Sequence, residues 1–308
     1  MINLNCPVCK SLVSSSSTLF DLKKDANDYQ IVSCNKCNHV YTSFEKEIDV
    51  QEYYDDKDYK LRDTRKTIFY KIQEKEYKKV LFLIRSFIHS KSCSLLDFGA
   101  GKGLFLNFAY NLGYDVKGVE TSLPRANYAK QVFGLKISTD NYHKGLIFSD
   151  KFDAIAILHV LEHLGDPKNL MQELFTSNLN LNGIAVIEVP NFDSWQSKWG
   201  SKYWMHLDIP RHINHFSPKY LKEMLKPLGF TILKEEYFSL HLGVIGMLQS
   251  IWSWVGYKGF LIADLKERKN IYLLIKIGLT LPFAFLFEGI AAYFKKGGII
   301  RIYARKTT

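Results

Sequence analysis

Residues Leu95–Phe105, LLDFGAGKGLF, decide how the chain is read. An apolar run reaches Asp97, glycines follow at alternate positions (Gly99, Gly101 and Gly103), and a helical pattern resumes at Leu104. The order is strand, glycine turn, helix. Such a turn at the carboxyl end of a parallel strand brings bare backbone up to a nucleoside ligand at a helix N-terminus, where a Cβ would occupy the ligand's space. The turn alone does not separate nucleosides from dinucleotides, or either from a plain tight turn.

Outward from there, DVKGVET (Asp115–Thr121) predicts a short strand ending on Glu120, whose carboxylate suits both ribose hydroxyls. Lys102 is followed by Gly103 and Leu104 rather than Ser or Thr, which excludes a P-loop. FDAIAILHVLEHL (Phe152–Leu164) predicts a further strand running into a turn that carries His159, Glu162 and His163. The first turn reads GxGxG, not GxGxxG, and this disfavours a nicotinamide dehydrogenase.

LLDFGAGKG, Glu120 and FDAIAILHVLEHLGDP, in this order, resemble the class I S-adenosylmethionine-dependent methyltransferases. IPRHINHFSPKYLKEMLKPLGF is similar to a bacterial subgroup, methyltransferase domain type 23, associated with polysaccharide and glycolipid biosynthesis. The resemblance implies an α/β fold with a Rossmann-like seven-stranded sheet and S-adenosylmethionine as cofactor. It implies that Asp97 and the backbone of Gly99, Gly101 and Gly103 hold the amino acid end, that Glu120 holds the ribose, and that Asp140 lies by the adenine, with His159 beside the cofactor. Plainer readings stand next to these: Asp97 capping the turn, Glu120 as a solvated strand end, Asp140 as a turn carboxylate. Methyl transfer is an in-line displacement that needs few catalytic groups. An oxygen acceptor must still lose a proton, for which His163, His212 and His215 are the candidates, unless His163 only hydrogen-bonds the turn it sits in.

The N-terminus carries two CxxC knuckles, Cys6/Cys9 and Cys34/Cys37. Four thiolates of this spacing suit one structural zinc in a zinc ribbon, with no open coordination position for catalysis. A disulfide pair fits a cytoplasmic chain poorly. His39 reads as a bystander and Cys93 as a core residue. The expected organisation is a ribbon over 1–45, a linker and amphipathic helix over 46–92, the methyltransferase core over 93–239 and 297–308, and an apolar helical insertion before the last strand, over 240–296. On the helix, Ile68, Ile72, Val80, Phe82, Leu83 and Phe87 are the apolar face. Tyr53, Tyr54 and Tyr59 either close over the cofactor or belong to a plain linker. Trp195, Trp199, Tyr203 and Trp204 precede PRHINHFS; they read as a sugar- or lipid-contacting lid or as lid packing alone.

A net charge of +10 calls for anionic surroundings, and 47% hydrophobic residues exclude a disordered chain. The insertion holds two apolar runs, Leu240–Ala263 and Ile271–Phe294. A spanning hairpin would leave Lys266, Arg268 and Lys269 on the far side, so a helical pair lying in an anionic membrane surface fits better; a dimer interface or a cap on the pocket is the alternative. The opening MINLNCPVCK has no apolar leader, so the expected location is cytoplasmic, peripheral on the inner face of the membrane. The expected acceptor is a glycan, sugar-nucleotide or lipid-linked molecule. A ribosomal-RNA methyltransferase with a zinc ribbon is the alternative enzyme, though the apolar insertion disfavours nucleic acid. A non-catalytic membrane adaptor with a vestigial fold is the alternative outside enzymes.

Overall fold

The computed structural model describes residues 5–12, 17–24, 27–44, 63, 65–90, 92–139, 150–267 and 271–308. Asp140, Tyr53, Tyr54 and Tyr59 lie outside the described residues.

The N-terminal unit is built on β1 (Thr18–Lys24), β2 (Asn27–Ser33) and β3 (Val40–Phe44), paired antiparallel in that order. The two CxxC turns flank β1 and β2 and repeat one bonding scheme. Lys10 N–H donates to Cys6 O and Asn38 N–H to Cys34 O, and both residues take left-handed φ values of 57° and 58°.

Helix α1 (Ile68–Ile88) starts on Thr67, whose side chain accepts from Tyr70 N–H. Its buried stripe is Val80, Leu81 and Ile84, whereas Ile68 and Phe82, expected on that face, are exposed. The core then alternates: β4 (Ser94–Phe98), α2 (Leu104–Asn111), β5 (Asp115–Val119), α3 (Leu123–Phe133), β6 (Ile137–Ser138), β7 (Phe152–Leu158), α4 (Pro167–Asn178) and β8 (Leu179–Pro190). Strand β8 runs through Leu181, Asn182 and Gly183, with Asn182 at φ 65°. After the short helix α5 (Trp195–Gly200) come β9 (Asn214–His215), α6 (Pro218–Leu225), β10 (Phe230–Glu236), α7 (Gly243–Trp254), α8 (Leu261–Glu267), α9 (Ile271–Tyr293) and β11 (Ile299–Lys306).

The central sheet runs β10-β11-β8-β7-β4-β5-β6. Strands β4 to β8 are parallel, while β11 enters antiparallel between β8 and β10. The pleat sorts the side chains to two cores. Leu96, Phe98, Ile155, Ile157 and Ile187 face α4 and α6; Leu95, Ala154, Ala156, Val186 and Tyr303 face α1 and α2. Both faces of the parallel strands are covered, as their near-continuous apolar runs require.

The N-terminal unit is woven into this core. Strand β9 adds to β3, pairing His215 with Val40, so one sheet joins the four-cysteine unit to the segment that carries PRHINHFS. Tyr29 and Ile31 on β2 pack against Trp204, Leu207 and Ile209.

The insertion is not the surface pair expected. Helix α7 is buried, with Val244, Met247, Leu248 and Trp252 inside a cluster of its own, because it wedges between α5 and α9. Among the described residues of the insertion, α9 presents the broadest apolar surface: Tyr272 is 78%, Leu279 69% and Tyr293 83% exposed. It has 23 residues, and an 18-residue window within them has a mean hydropathy of 1.8, long and apolar enough to cross a membrane. Two polar anchors seat it. Buried Glu288 accepts from Gln196 Nε2 and Gly298 N–H, each at 2.8 Å, and Trp252 Nε1–H donates to Thr280 Oγ1. Trp195 and Trp199 stack on each other and meet Phe294, just past the C-terminus of α9, and Phe287, in its C-terminal part, so this pair of tryptophans belongs to the helix seat.

Candidate active site

The three glycines differ in what they do. At Gly99 (φ 82°) a Cβ would lie 2.3 Å from Val160 Cγ2, and at Gly103 (φ 72°) it would lie 2.8 Å from Ala129 Cβ. These two are excluded from bearing side chains by packing inside the protein. Gly101 (φ 54°) has open space in front of it and lines a cavity, so it alone fits the close-approach argument. Gly99 and Ala100 N–H both donate to Val119 O, which lays the turn across the end of β5.

The cavity, of about 700 Å³, opens at the carboxyl ends of β4, β5 and β7. Its walls include Asp97, Gly99, Gly101, Glu120, His159 and His163, with Phe69, Gln73 and Tyr77 closing it from α1. Six of the expected site residues are thus brought together from three strand ends. Gly103 faces Ala129 instead and caps α2.

Glu120 is nearly buried, and its two oxygens diverge: Oε2 accepts from Gly101 N–H at 2.8 Å and Oε1 from Ser122 N–H at 2.9 Å. Each oxygen keeps a second lone pair for a ligand hydroxyl. Asp97 is deeply buried, and burial followed by the nearby Glu120 charge pushes its carboxyl up to about 7. A cationic ammonium arriving beside it would hold the ionised form.

His159 has φ 56°, a left-handed position that aims the ring back between two carboxylates. Nδ1–H donates to Glu162 Oε1 at 3.3 Å and Nε2–H to Glu188 Oε1 at 2.8 Å. Burial works against its charge, but the two carboxylates outweigh it and raise the imidazolium to about 10. A histidine with both N–H groups committed serves as a fixed positive element of the wall. Behind it, Glu188 meets Arg301 and Arg301 meets Glu236, so β8, β11 and β10 share one buried ion chain.

The other histidines fall in different places. His163 lines the cavity; its Nδ1–H donates to Arg211 O at 2.9 Å, and burial, then His212, push it down to about 4. An imidazole so reluctant to protonate is a weak general base. His212 lies behind it, rings 4.6 Å apart, with Nδ1–H donating to His206 O at 2.8 Å. His215 does not reach the cavity. It is buried between Thr42 Oγ1, 2.9 Å from Nε2, and the Phe192 ring, and burial holds its pKa well below the usual value. Its place is structural, at the β3–β9 junction.

The sequence reading missed how this turn is held. Asn214 Nδ2 donates to Leu164 O at 2.6 Å and Leu161 O at 3.3 Å, and its Oδ1 meets His39 Nε2 at 2.8 Å. Ile213 N–H donates to Glu162 O, and Thr42 Oγ1–H to His212 O. His39 is therefore a tie between the N-terminal unit and the LEHL turn, not a bystander. The signal was present only as Asn and His in apolar surroundings.

The four N-terminal cysteines converge within 4.8 Å of one another. Cys6 and Cys37 sulfurs stand 3.6 Å apart, and Cys9 and Cys34 3.5 Å. Four thiolates around one tetrahedral zinc are separated by about 3.8 Å, given a Zn–S bond near 2.3 Å. The donor set and the spacing both fit.

A second cavity, of about 990 Å³, lies where the N-terminal unit, the segment 202–211 and the loop after α7 meet. Tyr29, Tyr203, Trp204 and Phe260 face it alongside Asp21, Asp28, Lys202 and Arg211. None of its described lining comes from the central sheet.

Order of strands, glycine turn and acidic strand end define a methyltransferase. The methyltransferase-domain family matches residues 54–235, more than half of the chain, and the chain belongs to it. No curated protein matches it in sequence. Among solved structures it is similar to the plantazolicin methyltransferase BpumL in complex with a triazolic desmethylPZN analog and SAH, at 15% identity over 84% of this chain and 95% of that one, TM-score 0.52. It is also similar to a SAM-dependent methyltransferase from Archaeoglobus fulgidus, at 22% identity over 78% of this chain and 100% of that one, TM-score 0.45. The protein is an S-adenosylmethionine-dependent methyltransferase of class I.

Proposed function

We propose that this methyltransferase acts on a glycan, sugar-nucleotide or lipid-linked acceptor at a membrane surface, with a structural zinc in the four-cysteine site. In this reading Glu120 binds the ribose hydroxyls, Asp97 the ammonium of the methionine moiety, and Gly101 the close-lying backbone edge of the ligand. S-adenosylmethionine supplies the sulfonium methyl. The protein's part is to hold donor and acceptor collinear and dry. His163 is the side chain through which the wall meets the acceptor.

The observation that supports the acceptor class is the second cavity. Aromatic rings set among carboxylates and cations suit the apolar faces and hydroxyl edges of a sugar, or a sugar bearing phosphate. The exposed helix α9 joins this cavity through α7 and supports the membrane location: an apolar patch of this extent is rare on a free soluble surface. Lys295 and Lys296 follow it, though Lys296 is already paired with Asp193.

The test is methyl transfer from radiolabelled S-adenosylmethionine to a panel of lipid-linked sugars, sugar nucleotides and ribosomal RNA, with flotation on anionic vesicles alongside. Label in the sugar fraction, lost in Trp204→Ala, together with flotation is the expected result. Label in RNA alone would overturn the acceptor class, and failure to float would overturn the location.

A further inference from the structure

We propose that Glu162, His163 and His212 form a divalent-cation site in the wall between the two cavities. One donor atom from each lies within 4.8 Å of the others. Ligands of one bound ion sit about 3 Å apart, so the three need to close by at most about 2 Å.

Three independent features single this cluster out. First, both imidazoles turn Nδ1–H onto backbone carbonyls, of Arg211 and His206, which leaves Nε2 as the ring atom carrying the lone pair. Metal-binding histidines are oriented in this way, by a carbonyl behind the far nitrogen. Second, Glu162 is 1% exposed, and while Oε1 accepts from His159, Oε2 has no hydrogen-bond partner among the described residues. A buried carboxylate oxygen left unpartnered is costly, and a cation would satisfy it. Third, the donors come from two segments that backbone bonds lock together: Ile213 N–H donates to Glu162 O. A carboxylate with two imidazoles suits a transition-metal dication and leaves coordination positions open.

Position gives the site its use. His163 faces the cofactor cavity; Asp208, whose Oδ2 is 3.8 Å from His212 Nε2, and Arg211 face the second cavity. A cation here would take an oxygen of the acceptor and hold it toward the methyl donor, a role that rests on the proposed function, whereas the site itself rests on geometry alone.

The test uses full-length zinc-loaded protein and Mn²⁺, which prefers nitrogen and oxygen donors to thiolates. Mn²⁺ binding is followed by electron paramagnetic resonance, with SAH titrated into the same samples. One Mn²⁺ per chain is expected, with affinity falling roughly tenfold or more in both Glu162→Gln and His212→Ala. Circular dichroism and retained zinc verify the fold of each variant. Wild-type protein that binds SAH but no Mn²⁺, or variants that fold and bind Mn²⁺ as wild type does, would overturn the site. Protein that binds Mn²⁺ but not SAH would support the site while overturning the cofactor assignment.

Discussion

The two cavities of this molecule are built on opposite plans. The cofactor cavity takes most of its wall from one stretch, Asp97 to Leu164, in which each chemical group sits at a strand end or in the turn after it. The second cavity collects residues 21–30, 202–211 and 249–260, brought together only by tertiary packing. The first is specified by local backbone geometry and the second by long-range contacts that the four-cysteine unit holds in place. Damage to that unit should therefore reach the two cavities unequally.

The largest effect is expected on removing the proposed zinc. A structural zinc contributes on the order of 10 kcal/mol to folding a unit of this kind. Cys34→Ser, or chelation, should unfold β1–β3, abolish methyl transfer and open residues 201–211 to proteolysis. SAH affinity, read by calorimetry, should fall far less, since no described residue of the unit lines the cofactor cavity. Equal loss of both would break the comparison.

Next in size is the anchor of α1, the helix that closes the cofactor cavity. Glu76 accepts from Leu240 N–H and pairs with His241; burial would raise its carboxyl, but the His241 contacts outweigh this and lower it. Glu76→Ala leaves a buried histidine without its partner and should cost about 3–5 kcal/mol in urea denaturation. The sign with pH follows. This contribution is intact above the ordinary carboxylate range and is lost as pH falls through the lowered value.

Asn214→Ala tests the tie between the two regions. It strips hydrogen bonds from Leu161 O, Leu164 O and His39 and should cost roughly 2–3 kcal/mol, seen as a lower denaturation midpoint at unchanged m-value.

The smallest effect sharpens the cofactor side alone. Because Asp97 titrates near 7 in the free protein, binding a cationic ammonium below that pH requires release of its proton. Affinity for S-adenosylmethionine should rise by up to about tenfold per pH unit on approaching neutrality and then level off. Asp97→Asn should flatten the profile. The same burial makes Asp97 a destabilising group in the free protein at neutral pH: its contribution is most favourable below the ordinary carboxylate pKa and declines as pH rises toward about 7.

The same contrast explains what could be read from the sequence. Glycines at 99, 101 and 103 and the acid at 120 announced the fold and the first cavity, because strand, turn and helix are short-range patterns. Two of those glycines prove to serve packing, a distinction that depends on Val160 and Ala129 and so on tertiary structure. The histidines were legible as chemistry but not as positions: His163 reaches the cavity, His212 stands behind it, and His215 is spent on Thr42. Hydropathy marked both runs of the insertion alike. Only packing shows that α7 is core and α9 surface.

The central claim is that Glu120 and the turn around Gly101 bind the donor nucleoside. Calorimetric titration of S-adenosylmethionine and SAH into zinc-loaded protein, beside Glu120→Ala, tests it most directly. Loss of a charged acceptor of two hydroxyls should weaken binding about a hundredfold, near 3 kcal/mol. Full affinity in a folded Glu120→Ala variant, or no binding by folded wild type, would contradict the account.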